Sequence, residues 1–271
     1  RKPIIMKPAK QPILLLLFVY LFFTNSQLYA QEIDTVYNNK IKEFTTDKKF
    51  LPASVLNLVI DPNIPSPQKF FGNIIGAPGV MHHTTDIHNY YKKLASASTN
   101  ISVQQVGTTE EGRPINLVII ANEETQKKLD FFKHQLALLA DPRKVGTADV
   151  NEIINNTKPV FYLNGGLHST EMGSPEMLME LAYRLITSNT EEIKKIRDNT
   201  IIIINPVSEP DGRDKQVDWY YRYSKARANM EDGFPFSPPY WGKYVFHDNN
   251  RDGIQVSQEI TKAIFNIYYD W

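Results

Sequence analysis

Short apolar runs alternate with segments of helical periodicity from about residue 81 to the end of the chain. Segments rich in apolar residues and bounded by turn residues predict β-strands over residues 101–106, 115–121, 159–164 and 200–205. The last of these is apolar at nearly every position, as in a strand that is covered on both faces of its sheet.

Between these runs, apolar residues recur at the three- and four-residue spacing of helices that bury one side. This spacing predicts helices over residues 86–95, 123–139 and 257–271. A further helix begins at Ser174 and Pro175, which are the residue types preferred at the N-cap and in the first turn. Strands that alternate with helices predict an α/β fold with a mixed, largely parallel sheet flanked by helices.

The first 30 residues have the pattern of a secretory signal peptide. Lys7 and Lys10 precede an apolar run at residues 13–23, and residues 28–30 resemble a cleavage site. This run is shorter than the ~20 residues that span a bilayer, although an uncleaved anchor is the alternative. We expect a secreted or periplasmic protein with a signal peptide at residues 1–30, an N-terminal extension at 31–80 and a main domain at 81–271.

Composition narrows the classes of partner. The chain has 30 basic and 30 acidic residues, and four of the basic ones but no acidic one precede residue 31. Residues 31–271 therefore carry 26 basic and 30 acidic residues, a net charge of −4. No nucleic-acid partner and no stable membrane partner is therefore expected. The absence of cysteine excludes disulfides and cysteine-bound metals.

The apolar run at residues 159–164 ends in two glycines, and His168 and Glu171 follow. Since the end of a strand and the start of a helix enclose the pair, both side chains can face one point. Imidazole nitrogen and carboxylate oxygen suit Zn²⁺, and a catalytic zinc site has three protein ligands and an open position. The pair therefore predicts two of the three ligands of a zinc site.

A second polar cluster, residues 247–253, contains Asp248, Asn250 and Arg251. An aspartate can hold a zinc-bound histidine in one tautomer by accepting a hydrogen bond from its other ring nitrogen. Asparagine and arginine can bind a carboxylate, arginine through two parallel hydrogen bonds. One interpretation of the cluster is therefore a carboxylate-binding site beside the metal.

The same cluster also matches the pattern of a calcium-binding loop that ends in Glu259. Such a loop needs a helix leading into it, whereas residues 234–242 contain three prolines. The sequence also has no second loop of this pattern. A calcium site and a plain polar turn are the alternatives.

The order of these motifs is similar to that of the zinc metallocarboxypeptidase family, carboxypeptidase A type. The resemblance covers residues 81–271 and rests on GR-P-I at 112–115, GGLHSTE at 165–171, and D-x-N-R at 248–251. It implies that His168 and Glu171 bind zinc and that Asp248 pairs with His168. It also implies that Asn250 and Arg251 hold the C-terminal carboxylate of a peptide.

In that family a further arginine, which closely follows a tryptophan, stabilises the oxyanion. Arg222 is the best match after Trp219, and Arg227 competes with it. The resemblance thus implies zinc-dependent hydrolysis of a peptide bond at the C-terminus of a substrate whose carboxylate is free. The alternatives are a zinc amidohydrolase that acts on acyl-amino acids or cell-wall peptides, and a non-catalytic secreted binding domain.

The chain departs from the family pattern in ways that affect function. The Asn-Pro and Asp-Gly pairs at residues 205–212 are separated, and an insertion at 231–244 alters the expected rim of the substrate pocket. No histidine follows His247, although the third zinc ligand and the catalytic glutamate of the family lie downstream. We expect a domain truncated at the C-terminus, an inactive fragment, and a helix at residues 257–271 whose apolar side has no following element to pack against.

Four other histidines and two glutamates of the helix after Ser174 have no predicted role in the site. We expect surface positions for His82, His83, His88 and His134. We expect the exposed side of a helix for Glu176 and Glu180.

Overall fold

The computed structural model describes residues 31–146, 149–227, 245 and 247–271. The predicted signal peptide and the predicted insertion at residues 231–244 lie outside the described residues. Within the described ranges, no helix is both long and apolar enough to span a bilayer.

Four strands form one sheet in the described part of the chain. They are β1 (Ile101–Thr108), β2 (Pro114–Ile120), β3 (Val160–Asn164) and β4 (Ile201–Asn205), in the spatial order β1-β2-β4-β3. β3 pairs with β4 in parallel, whereas β2 is antiparallel to both β1 and β4. The predicted mixed α/β sheet is confirmed, and each strand lies within two residues of its predicted bounds.

The described sheet is less parallel than predicted, since one of its three pairings is parallel. The cause is a tight turn at residues 109–113. There the N–H of Thr109 donates to the carbonyl of Arg113 at 2.9 Å, and Gly112 has a φ of +79°. The turn makes β1 and β2 a hairpin, so these two consecutive strands run in opposite directions.

Helices flank the sheet on both faces. In chain order they are α1 (Thr35–Phe44), α2 (Pro67–Phe71), α3 (Thr84–Ala97), α4 (Glu123–Gln126), α5 (Leu129–Ala140), α6 (Val150–Asn156), α7 (Gly173–Thr187), α8 (Glu191–Asn199), α9 (Pro210–Arg227) and α10 (Glu259–Asp270). The helix predicted at residues 123–139 is divided into α4 and α5. The Gln126 amide donates to the carbonyls of Asn100 and Ile119, which holds α4 against the sheet.

Alternate residues of β4 belong to two separate cores, because successive side chains of a strand point to opposite faces. Ile202 packs with buried residues of α3 and α7 on one face. Ile203 packs with Phe132 of α5 and Ile267 of α10 on the other. The sheet is therefore the middle of three layers, as the apolar pattern of β4 predicted.

The segment at residues 31–80, predicted as an extension, contributes buried side chains to the first core. Tyr37, Leu58 and Ile74 are among them. The Tyr37 hydroxyl also donates to Glu180 Oε2 on α7 at 2.7 Å. The expectation that Glu180 is exposed is wrong, since its side chain is 17% exposed.

The apolar side of α10 has a partner within the described chain. Ile260 and Ala263 pack with Ile115 of β2 and with Val106 of β1. The hairpin of β1 and β2, which precedes α10 in the chain, therefore covers this side of the helix.

Candidate functional site

The loop at residues 165–172, named here the His168 loop, connects β3 to α7 and begins with two glycines that its path requires. A Cβ at Gly165 would lie 2.6 Å from the carbonyl oxygen of Pro206, so a larger residue would collide with the backbone after β4. Gly166 has a φ of +63°, in the region that favours glycine. The loop thus leaves the sheet where the carboxyl ends of two parallel strands meet, as predicted.

The His168 imidazole lies between two carboxylates. Its Nδ1 is 3.0 Å from Glu171 Oε1, and its Nε2 is 2.9 Å from Asp248 Oδ1. The exposed fractions of the three side chains are 22% for His168, 62% for Glu171 and 36% for Asp248. The structure therefore brings together the two predicted metal ligands and the predicted supporting aspartate.

These contacts shift two pKa values. The hydrogen bond to Glu171 raises the pKa of His168 above its usual value, against the effect of partial burial, and Asp248 adds to the rise. The N–H of Asn250, at 2.8 Å, and then His168 lower the pKa of Asp248. A metal ion that binds Nδ1 therefore competes with a proton for this nitrogen.

The donor pair fits one zinc ion with a small adjustment. Ligand atoms at ~2.1 Å from zinc in tetrahedral geometry lie about 3.4 Å apart. Nδ1 and Oε1 are 3.0 Å apart, and Glu171 is exposed enough to turn. Within the part of the chain that the structure describes, no group of three or more His, Cys, Asp or Glu side chains could hold a metal ion. The described residues thus offer two suitable donors.

Asn250 and Arg251 lie with exposed side chains on the 3-10 turn Asn249–Arg251, which follows Asp248. Asn249, which the motifs did not single out, is buried and donates from Nδ2 to the carbonyl of Leu167 at 2.5 Å. This hydrogen bond ties the turn to the His168 loop. The predicted carboxylate-binding residues are therefore held beside the donor pair.

Arg222 lies on α9 with an exposed side chain. One turn earlier on α9, Asp218 Oδ1 is 2.9 Å from His83 Nε2. Among the described residues, no hydrogen bond or ion pair joins Arg222 to Glu171 or Asp248. Arg227 is on the same helix, and its side chain lies outside the described part. The role of Arg222 therefore stays a prediction.

The contacts of the acidic residues do not favour a calcium loop. Asp248 is turned toward His168, whereas Asp252 is buried and accepts hydrogen bonds from the N–H groups of Ser257 and Gln258 at 3.2 and 2.9 Å. Burial acts to raise the pKa of Asp252, but these hydrogen bonds and others hold it well below its usual value. Asp252 therefore stabilises the start of α10.

A buried cluster next to the His168 loop was not predicted. His82 and Arg213 are 7% and 2% exposed, and Glu176 lies between them. The expectations of a surface His82 and an exposed Glu176 are wrong. His88 is buried as well, and burial lowers its pKa to about 4. No sequence signal marks this cluster, because Glu176 is 94 residues from His82 and 37 from Arg213.

A family model described as zinc carboxypeptidase matches residues 87–267. Among solved structures, carboxypeptidase A from Helicoverpa armigera is 16% identical at a TM-score of 0.42, and the match covers 84% of this chain and 49% of that one. Thrombin activatable fibrinolysis inhibitor is 12% identical at a TM-score of 0.44, and the match covers 76% of this chain and 46% of that one. A metallo-carboxypeptidase from Burkholderia cenocepacia is 18% identical at a TM-score of 0.33, and the match covers 46% of this chain and 26% of that one. The chain thus spans less than half of the length of these structures. No curated protein matches it.

Proposed function

Because this chain belongs to the zinc carboxypeptidase family, we propose that it forms part of the active site of a zinc metallocarboxypeptidase, which hydrolyses the peptide bond at the C-terminus of its substrate. The observation that carries the proposal is the contact of His168 Nδ1 with Glu171 and of Nε2 with Asp248. This contact presents one nitrogen and one carboxylate oxygen together and leaves the second nitrogen to a supporting carboxylate.

In the proposed site, His168 and Glu171 hold the metal. The chemistry that zinc supplies when bound is polarisation of a carbonyl and activation of water. Asp248 accepts a hydrogen bond from Nε2, which leaves Nδ1 free of a proton for coordination and keeps the ring oriented. The carboxylate of Asp248 is well suited to this task because its lowered pKa keeps it ionised.

Substrate binding is proposed for the turn that follows Asp248. Arg251 offers a fork of N–H donors that matches a carboxylate, and Asn250 adds an amide donor. Both side chains are exposed, so a peptide can reach them. A free C-terminal carboxylate bound here places the last peptide bond of the substrate near the His168 loop. Arg222 is the proposed donor to the oxyanion that develops on the carbonyl.

The 271-residue chain alone is proposed to bind zinc weakly and not to hydrolyse peptides. A catalytic zinc site takes three protein ligands, whereas the sequence has no histidine after His247 and the described residues offer two donors. Nanomolar zinc affinity of this chain, measured by isothermal titration, would contradict this part of the proposal.

The site of action is proposed to be outside the cytoplasm. The support is the sequence pattern of residues 1–30, in which Lys7 and Lys10 precede an apolar run and a cleavage-site pattern. N-terminal sequencing of the exported protein tests this, with Gln31 as the expected first residue.

Peptide hydrolysis by the whole gene product tests the proposed reaction. Zinc-loaded protein should release the last residue of a peptide with a free C-terminus at least ~100-fold faster than that of the amidated peptide, because a lost charge-assisted contact costs about 3 kcal/mol. A chelator should stop the reaction and added zinc should restore it. Equal rates on both peptides would favour the amidohydrolase alternative, and no hydrolysis of either would favour a binding domain.

A further inference from the structure

Arg213 of α9 is the largest fully buried side chain of the described residues, and it contacts three residues, His82, Met172 and Glu176. Its Nε and Nη2 donate to the carbonyl oxygen of His82 at 3.0 and 2.8 Å. Its Nη1 donates to the carbonyl oxygen of Met172 at 3.1 Å, and Nη2 also pairs with Glu176. A buried guanidinium is tolerated only when such partners satisfy it.

Glu176, in the first turn of α7, is equally well satisfied. Its Oε1 accepts from the N–H of His82 at 2.9 Å, and its Oε2 is 2.7 Å from His82 Nδ1. Burial acts to raise the pKa of Glu176, but His82 and Arg213 hold it below its usual value. The carboxylate therefore stays charged and keeps the Arg213 guanidinium in one orientation.

Met172 gives this cluster its relation to the proposed metal centre. It directly follows Glu171 and precedes α7, so its carbonyl lies at the end of the His168 loop. Glu171 is the more exposed of the two donors, at 62%. A displacement of the backbone at Met172 would therefore move the Glu171 side chain, which has little packing of its own to restrain it.

Other contacts hold the loop at its start and middle. The N–H of Gly166 donates to Ser174 Oγ at 2.9 Å, and Asn249 binds the carbonyl of Leu167. Ser169 is buried against α9. A Cβ placed on Gly212 of that helix would lie 2.9 Å from the Cβ of Ser169. Arg213 supplies the contact at the remaining end, next to Glu171.

We propose that Arg213 is a positioning residue for the metal centre. It fixes the carbonyl of Met172 so that Glu171 stays within coordinating reach of the metal held by His168, while Glu176 and His82 orient its guanidinium. This proposal rests on the proposed zinc function. In this proposal, Arg213 of α9 and Glu176 of α7 support the metal centre without contacting the metal.

The substitution Arg213→Lys tests this because it keeps the positive charge. A lysine ammonium is a compact group on a flexible stem and lacks the fork geometry that reaches His82 and Met172 together. We expect Arg213→Lys to weaken the zinc affinity of the 271-residue chain by about 10–100-fold, the usual effect of losing an outer support of a metal site. With cobalt as the probe, the visible spectrum of the bound ion should also change.

Arg197→Lys is the matched control. Arg197 is 6% exposed and its Nη1 donates to the carbonyls of Leu185 and Ser188 at 2.7 and 3.0 Å, so it too is a buried arginine that binds backbone. Both variants should lower the melting temperature, but Arg197→Lys should leave the zinc affinity within about twofold of wild type, since its contacts lie outside the His168 loop.

The outcomes separate this proposal from the one it rests on. Zinc affinity in Arg213→Lys equal to wild type, or an equal loss in both lysine variants, would overturn the positioning role alone. A wild-type chain that binds no zinc at His168 would overturn the proposed function, and the positioning role with it. If Arg213→Lys does not fold, Glu176→Gln carries the test, since it loosens the same guanidinium, and unchanged affinity there would overturn the role.

Discussion

Replacing His168 by alanine is expected to lower the zinc affinity of the chain by more than about 100-fold. Loss of a residue that merely orients a ligand costs about 10–100-fold, so loss of a ligand should exceed that range. The expectation rests on the 3.0 Å separation of Nδ1 from Glu171 Oε1, which makes His168 one of two convergent donors. Isothermal titration of zinc into the wild-type and His168→Ala chains at pH 7.5 measures the difference.

His134→Ala is the control for this measurement. His134 is an exposed histidine of α5, so its loss tests whether any surface imidazole contributes to the binding. We expect its zinc affinity to equal that of wild type. If His168→Ala retained wild-type affinity, or if both variants lost affinity alike, His168 would not be a ligand.

Replacing Arg251 by methionine is expected to lower kcat/KM of the whole gene product on a peptide with a free C-terminus by about 100- to 1,000-fold. This factor corresponds to about 3–4 kcal/mol, within the range measured when one partner of a hydrogen-bonded charge pair is removed. Arg251 is exposed, so its replacement should leave the fold and the zinc affinity unchanged. Steady-state kinetics on free and amidated forms of one peptide provide the test.

The amidated peptide is the internal control, because it lacks the carboxylate that Arg251 is proposed to bind. Its slow hydrolysis should be about the same in wild type and in Arg251→Met. Arg143→Met, at a side chain that is 87% exposed and pairs with Asp141, should behave as wild type on both peptides. A loss of activity by Arg251→Met on both peptides alike would argue against carboxylate binding.

The strands were predictable because each is a short segment rich in apolar residues between turn residues. Ile201–Asn205 illustrates this, since every residue is buried between helices on both faces. The pairing of the strands was harder to predict. Consecutive strands in an α/β pattern suggest parallel neighbours. The sequence does place a polar turn around Gly112 between the first two strands, but the hydrogen bonds of residues 109–113 are what show that it closes a hairpin.

The core of the candidate site was predictable for a similar reason. His168 and Glu171 are close in sequence and enclosed by a strand end and a helix start, and D-x-N-R is a compact motif. Arg213 and Glu176 could not be found this way. Their pairing depends on how α7 and α9 approach one another, and a charged residue in a helix is usually exposed.

A crystal of the chain soaked in zinc, with anomalous diffraction data at the zinc absorption edge, tests the metal centre most directly. We predict an anomalous peak ~2.1 Å from both His168 Nδ1 and Glu171 Oε1, with Asp248 still hydrogen-bonded to Nε2. A peak bound through Nε2, or bound elsewhere with His168 and Glu171 unengaged, would contradict the proposed zinc centre.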